Sequence, residues 1–145
     1  MMKLFWGFLC AGLVLACSSS DDAGSACANI VGNYRVKSAR IDGNCDAKLD
    51  GDGTSSMTIA KQTDGSYGLT VTNVQGTCPA AFDAACHFTA NCRVFDQNTN
   101  ATLFTADYDY TFTGTSFKGS SVGGANPPLV PSACNVTYHD EGTHL

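Results

Sequence analysis

Helical signal is nearly missing from this chain. Of 145 residues, only Pro79 to Ala85 has a helical composition, with Pro79 suited to a first-turn position, and a stretch of seven allows no more than two turns. Long apolar segments are missing too. The uncharged run Leu4 to Ala16 has 13 residues, where a membrane-spanning helix needs ~20. No Cys-x-x-Cys pair occurs among the eight cysteines and their gaps are irregular, which argues against zinc. Basic residues are few, eight Lys and Arg against 13 Asp and Glu, and neither sign forms a long run. That balance argues against nucleic acid or an anionic membrane surface as an electrostatic partner, and the scattered acids read as a solvated surface. The single tryptophan, Trp6, lies inside the N-terminal apolar run.

That run has the anatomy of a secretion leader, with Lys3 as the positive n-region and a stretch of h-region length behind it. It closes on Leu13-Val14-Leu15-Ala16-Cys17, which resembles the lipobox of a bacterial lipoprotein signal peptide. The resemblance covers residues 1 to 18, departs from the strictest pattern at Leu15, and implies cleavage before Cys17. It implies a diacylglyceryl thioether on Cys17 and acylation of the new amine, and two or three acyl chains anchor a protein stably where one does not. An ordinary cleaved leader with a free Cys17 is the alternative. Residues 1 to 16 are then the signal peptide. Residues 17 to 26 are a lipidated tether, since Ser18 to Ser25 holds no apolar residue larger than alanine and cannot bury enough surface to fold. The resemblance places the protein at the cell envelope, with the membrane as a partner through the anchor. Ser18 after the lipidated cysteine goes with outer-membrane sorting.

Residues 27 to 145 make one domain. Without Lys3 the mature chain has seven basic and 13 acidic residues, a net charge of −6. Six cysteines follow Cys17: Cys27, Cys45, Cys78, Cys86, Cys92 and Cys134. An even number behind a secretion signal reads as three disulfides in an oxidising compartment.

Every strong downstream pattern has period two. Ile30 to Arg40 alternates, with Tyr34 and Val36 opposite Arg35 and Lys37. Met57 and Ile59 alternate with polar neighbours, and after Thr63-Asp64-Gly65-Ser66 the pattern resumes as Tyr67, Leu69 and Val71, a hairpin signature. Cys86 to Phe95 is a further strand. After Asn98-Thr99-Asn100 comes the longest alternation, with Phe104, Ala106, Tyr108, Tyr110 and Phe112 on one face and Thr105, Asp107, Asp109 and Thr111 on the other. That is a half-buried strand with a wet outer face. Gly114 turns into Thr115 to Val122, Gly123 to Pro128 reads as an irregular loop, and Cys134, Val136 and Tyr138 form the last run. The expectation is an all-β domain of seven or eight antiparallel strands, an up-and-down barrel or alternatively a β-sandwich, stapled by disulfides.

An up-and-down order gives a disulfide map. If the fourth and fifth strands turn near Ala85, positions summing to 170 face each other, which pairs Cys78 with Cys92. Cys45 ends the first strand and Cys134 starts the last, so barrel closure brings them to one rim. Cys27 and Cys86 are left for the opposite rim. Cys86 cannot bond Cys92, because extended chain separates them by roughly 20 Å at ~3.3 Å per residue.

Gly32-Asn33-Tyr34, opening the first strand, resembles the Gly-x-Trp of the calycins, the barrel group that includes lipocalins and avidins. Ser56-Met57-Thr58-Ile59 followed by Asp64-Gly65-Ser66-Tyr67-Gly68 is similar to the second and third strands of the avidin type. The resemblance covers residues 30 to 75, departs from the pattern in having Tyr34 for the tryptophan, and implies an eight-stranded calycin-like barrel with a ligand cup. It does not imply biotin, since no tryptophan follows the leader to build an aromatic box.

Gly119-Ser120-Ser121-Val122-Gly123 matches the Gly-x-Ser-x-Gly nucleophile elbow, with Asp140, Glu141 and His144 following in hydrolase order. The motif works as a strand-to-helix turn on a parallel sheet, and Gly124-Ala125-Asn126-Pro127-Pro128 cannot start that helix, so it reads as a chance match. Asp46, Asp50 and Asp52 lie in a glycine-rich loop but fail the EF-hand spacing, with Lys61 at the twelfth position. His139 and His144, flanking Asp140 and Glu141, lie in a terminus expected to fray. His87 takes a surface position. Asn100-Ala101-Thr102 and Asn135-Val136-Thr137 fit a glycosylation sequon that carries little meaning behind a bacterial leader. No metal or cofactor is expected, and no enzyme.

Two roles stay open. One is a structural or interaction lipoprotein whose barrel is filled by its own side chains and which contacts an envelope protein. The other is a barrel that binds a small hydrophobic ligand. Tyr34, Met57, Tyr67, Phe104, Tyr108, Tyr110 and Phe112 decide between them: if they interdigitate there is no room, whereas a binder needs a lined cavity of ~300 Å³ or more.

Overall fold

The computed structural model describes residues 30–46, 53–72, 74 and 76–145. Eight strands follow in chain order: β1 Gly32–Gly43, β2 Gly53–Lys61, β3 Tyr67–Val71, β4 Cys78–Phe82, β5 His87–Phe95, β6 Thr102–Thr113, β7 Ser116–Ala125 and β8 Cys134–His144. Each pairs antiparallel with its neighbours in sequence, and β8 returns to β1 to close an up-and-down barrel, so no edge is left open.

Alternation decides which side chains enter. Along β6, Ala106, Tyr110 and Phe112 are buried while Asp107, Asp109 and Thr111 are exposed. Outside, Asp109 accepts from His87, and Asp107 accepts from Asn91 and Arg93, a polar wall opposite in character to that of a membrane-spanning barrel. Aspartates at the turns fix three connections. The Asp64 carboxylate accepts from the Ser66 N–H and hydroxyl, that of Asp83 from the Ala85 and His87 N–H groups, and that of Asp96 from the Asn98 and Thr99 N–H groups. Those bonds hold the Asp64 and Asp96 carboxyls below the usual carboxylate range.

Two disulfides close within the described residues, Cys78–Cys92 and Cys45–Cys134, with Cα separations of 4.8 and 4.9 Å. The β4–β5 register supplies the reason for the first, since Ala80 faces Ala90 and Phe82 faces Phe88. Cys86 is also disulfide-bonded. The other four described cysteines pair among themselves, so its partner lies outside the described residues. Cys27 and Cys17, with the leader and tether, lie outside them as well.

Three expectations need correction. Pro79 to Ala85 is not helical: Cys78 to Phe82 is strand β4. The disulfide and the inward anchors Ala80 and Phe82 outweigh the weak propensity of a short alanine-rich stretch. Gly123 to Ala125 belongs to β7 rather than to a loop, paired in register with Ala106 to Phe104 on one side and Val136 to Cys134 on the other. The C-terminal residues do not fray. Strand β8 runs to His144 between β1 and β7, and the Leu145 N–H donates to the Asn33 carbonyl at 2.8 Å.

Candidate ligand cup

The barrel is filled at one end and hollow at the other. The filled end holds the start of β1 and the β2–β3, β4–β5 and β6–β7 turns. Tyr34 packs edge-on to Phe112 at 5.6 Å between ring centroids, and Phe117 stacks on Tyr110 at 4.3 Å. Phe82 and Phe88 each meet Phe112 at 6.0 Å. Ile30 lies buried ahead of β1, and its carbonyl accepts the Tyr34 hydroxyl at 2.8 Å. Burial pushes the Tyr34 phenol up to about 12. This aromatic layer is a floor.

Above it the barrel opens into a cavity of about 730 Å³. Its walls include Val36, Met57, Val71, Phe104, Tyr108 and Tyr138, and its mouth carries Phe95 and Leu129, 49% and 55% exposed. The space has a cause in sequence. The inward positions of β7 are Phe117, Gly119, Ser121, Gly123 and Ala125, so beyond Phe117 that strand brings no large side chain inward. A Cβ on Gly119 would lie 2.0 Å from the Asp109 carbonyl oxygen, which shows how closely β6 and β7 approach there.

The seven residues expected to decide the question divide. Tyr34 and Phe112 belong to the floor, and Tyr67 packs against Phe82 at 5.8 Å, also at that end. Met57, Phe104, Tyr108 and Tyr110 line the cavity.

Sequence reasoning missed the most unusual wall residue. Asp140 is only 1% exposed and sits inside because β8 keeps strict alternation through Val136, Tyr138, Asp140 and Gly142. Extending that alternation two residues past Tyr138 would have placed it there. The Tyr110 hydroxyl donates to Asp140 Oδ2 at 2.9 Å, and Ser121 hydrogen-bonds the Tyr110 hydroxyl in turn. Asp140 Oδ1 is buried and has no hydrogen-bond partner among the described residues. Burial, reinforced by the negative charge of Asp140, pushes the Tyr108 phenol up to about 12 and that of Tyr110 well above its ordinary value. Both are neutral hydroxyls across the physiological range.

Ser121 and Asp140 share the cup, but His144 does not join them as a triad. Ser121 lies mid-strand, two residues off the register position that faces Asp140, while His144 stands at the floor, 5.1 Å from Tyr34 between ring centroids. His139 and Glu141 point outward from β8, with 3.9 Å between Nε2 and Oε1, whereas Asp140 points inward. Asp46 is exposed, and Asp50 and Asp52 lie outside the described residues. Among the described residues no three His, Cys, Asp or Glu side chains cluster as metal ligands. His87 is half-buried on the outer wall, where the hydrogen bond to Asp109 raises its pKa. A second depression, of about 700 Å³, lies against β4 to β7 and is lined partly by Ala81, Thr89, Asn91 and Asp107.

Comparison of the chain with protein-family models, with curated proteins and with solved structures found no match.

Proposed function

We propose that this protein is a lipid-anchored binding barrel of the bacterial cell envelope, of the calycin kind and without catalytic activity. It holds a small, largely apolar molecule in the cup above its aromatic floor. The observation that carries the reading is the cavity of about 730 Å³, within the ~300–1,000 Å³ usual for small-molecule sites. A barrel filled by its own side chains would have carried its aromatic packing from end to end. Here it stops at the floor, and apolar side chains at the mouth give a ligand its way in.

The envelope address and the anchor on Cys17 rest on the lipobox resemblance. Five disulfide-bonded cysteines inside a barrel of this size support an oxidising compartment. Outer-membrane placement rests on Ser18.

The test is native mass spectrometry of the protein released from its own envelope. The expected spectrum shows a triacylated Cys17 and one small molecule in stoichiometric amount. Repeated preparations carrying no bound molecule would return the protein to the structural class, and an unmodified Cys17 would remove the anchor.

A further inference from the structure

We propose that the cup selects a protonated organic amine, which donates an N–H to Oδ1 of Asp140 and lays its apolar body against Met57, Val71 and Phe104. The inference rests on the ligand-binding reading above and names the chemical class of the ligand.

It starts from an acid in an unusual place. Aspartate is almost never fully buried unless paired, and Asp140 is 1% exposed with a single donor among the described residues, the Tyr110 hydroxyl on Oδ2. Its other oxygen is buried, unpartnered among the described residues, and belongs to a residue that lines the cup. A buried acceptor of that kind calls for a donor. Among the described residues none provides one: the Tyr110 hydroxyl is committed to Oδ2, and no side chain hydrogen-bonds Oδ1.

The charge of the lining selects among donors. Among its described residues there are two acids, Asp140 in the depth and Asp96 at the mouth, and no Lys, Arg or His. A fatty acid or a phosphate would bring its negative head to two acids, with no cation among the described lining residues. A neutral alcohol would satisfy Oδ1 and leave the charge uncompensated. An ammonium group does both, through a charge-assisted hydrogen bond, which is roughly twice as strong as a neutral one. The rings around the carboxyl suit the same guest. Tyr108 and Tyr110 lie 5.9 Å apart at a tilt, Tyr138 lines the same wall, and aromatic faces attract cations.

Isothermal titration of the full-length protein with octylamine, octan-1-ol and octanoate at pH 7 and fixed ionic strength isolates the head group at constant chain length. Octylamine should bind about tenfold tighter than octan-1-ol, or better, with octanoate weakest. Equal affinities, or octanoate the tightest, would overturn amine selection while leaving the cup as a binding site. Failure of all three to bind would overturn the binding reading along with it. Asp140→Asn should lower the affinity for octylamine to that for octan-1-ol and leave the latter unchanged. Octylamine binding undiminished in that variant would also overturn the assignment. Because loss of a buried carboxylate can unfold a barrel, the unmutated head-group series decides the matter by itself.

Discussion

Gly142→Ala should destabilise the barrel by about 2 kcal/mol, although alanine is normally the better strand residue. Gly142 is an inward position of β8 paired in register with Phe117 of β7, and the Phe117 ring lies flat over the space a side chain would fill. A Cβ built at residue 142 falls 2.0 Å from Cε1 and 2.1 Å from Cζ of that ring, where ordinary contact begins at 3.4 Å. The ring would have to retreat by more than an ångström. It is buried against Tyr110 at 4.3 Å, Phe112 at 5.1 Å and Tyr34 at 5.7 Å, so the displacement spreads through the whole floor. Overpacking of a tight core costs ~1–3 kcal/mol and the stacked pair is worth ~0.5–1.5 kcal/mol. Against this, replacing glycine at an unstrained φ returns only ~0.4–1 kcal/mol through the unfolded chain. Urea unfolding of the oxidised protein should therefore show a midpoint lower by roughly 1 M at unchanged slope. Phe117→Ala is costly alone, but in its background Gly142→Ala should become neutral or mildly stabilising. A destabilisation of the same size in both backgrounds would refute the steric argument.

Two further outcomes follow from burial and topology. Tyr34 and Tyr108 have phenols pushed up to about 12, so folding holds protons that the unfolded chain releases near pH 10. The stability they contribute is whole below pH 10 and should be lost as pH rises from 10 towards 12, visible as a falling urea midpoint with the phenolate absorbance appearing only on unfolding; early phenolate absorbance from all tyrosines of the folded protein would contradict it. Removing the disulfides singly by paired Cys→Ala changes should rank them by loop length. Closure over 89 residues by Cys45–Cys134 corresponds to about 4.6 kcal/mol and over 14 by Cys78–Cys92 to about 3 kcal/mol in the chain-entropy model, and the reverse order in urea melts would sink that account.

Much of the architecture was legible because it depends on a local rule. Period-two alternation marks β1, β2, β3 and β6, and Asp64-Gly65 marks the β2–β3 hairpin. A turn centred near Ala85 is enough to place Cys78 opposite Cys92. Reading failed where the deciding interaction is distant. The stretch after Cys78 has a local leaning towards helix that a disulfide and two inward side chains override. Gly123 to Ala125 reads as loop because glycine lacks strand propensity, yet both neighbouring strands are long enough to pair it. Asp140 was lost for a related reason: a charged residue near a chain end reads as solvated, and only closure of β8 onto β1 makes its position an interior one. The cup was therefore hidden in two places that propensity undervalues, the small inward face of β7 and the last residues of β8.

The location of the staples bears on what the hollow end is for. Cys45–Cys134 joins the end of β1 to the start of β8 at the rim of the cup, and Cys78 and Cys92 stand towards the same end, one starting β4 and the other near the end of β5. The floor end has the interlocked rings of Tyr34, Phe88, Phe112 and Phe117 to hold its strands together. The open end has given up that packing for volume, and what remains beside its wall is a small cluster of Val130, Val136, Tyr138 and Ala125 around one disulfide. A cup without a packed centre would otherwise be the first part of the barrel to loosen, and a loose cup must be ordered at the expense of affinity whenever a ligand enters. Cross-links at the rim supply rigidity there without occupying the interior. On this argument the cysteines serve the cavity as much as the fold, for the two described disulfides join strands at the end where the side chains have been made small.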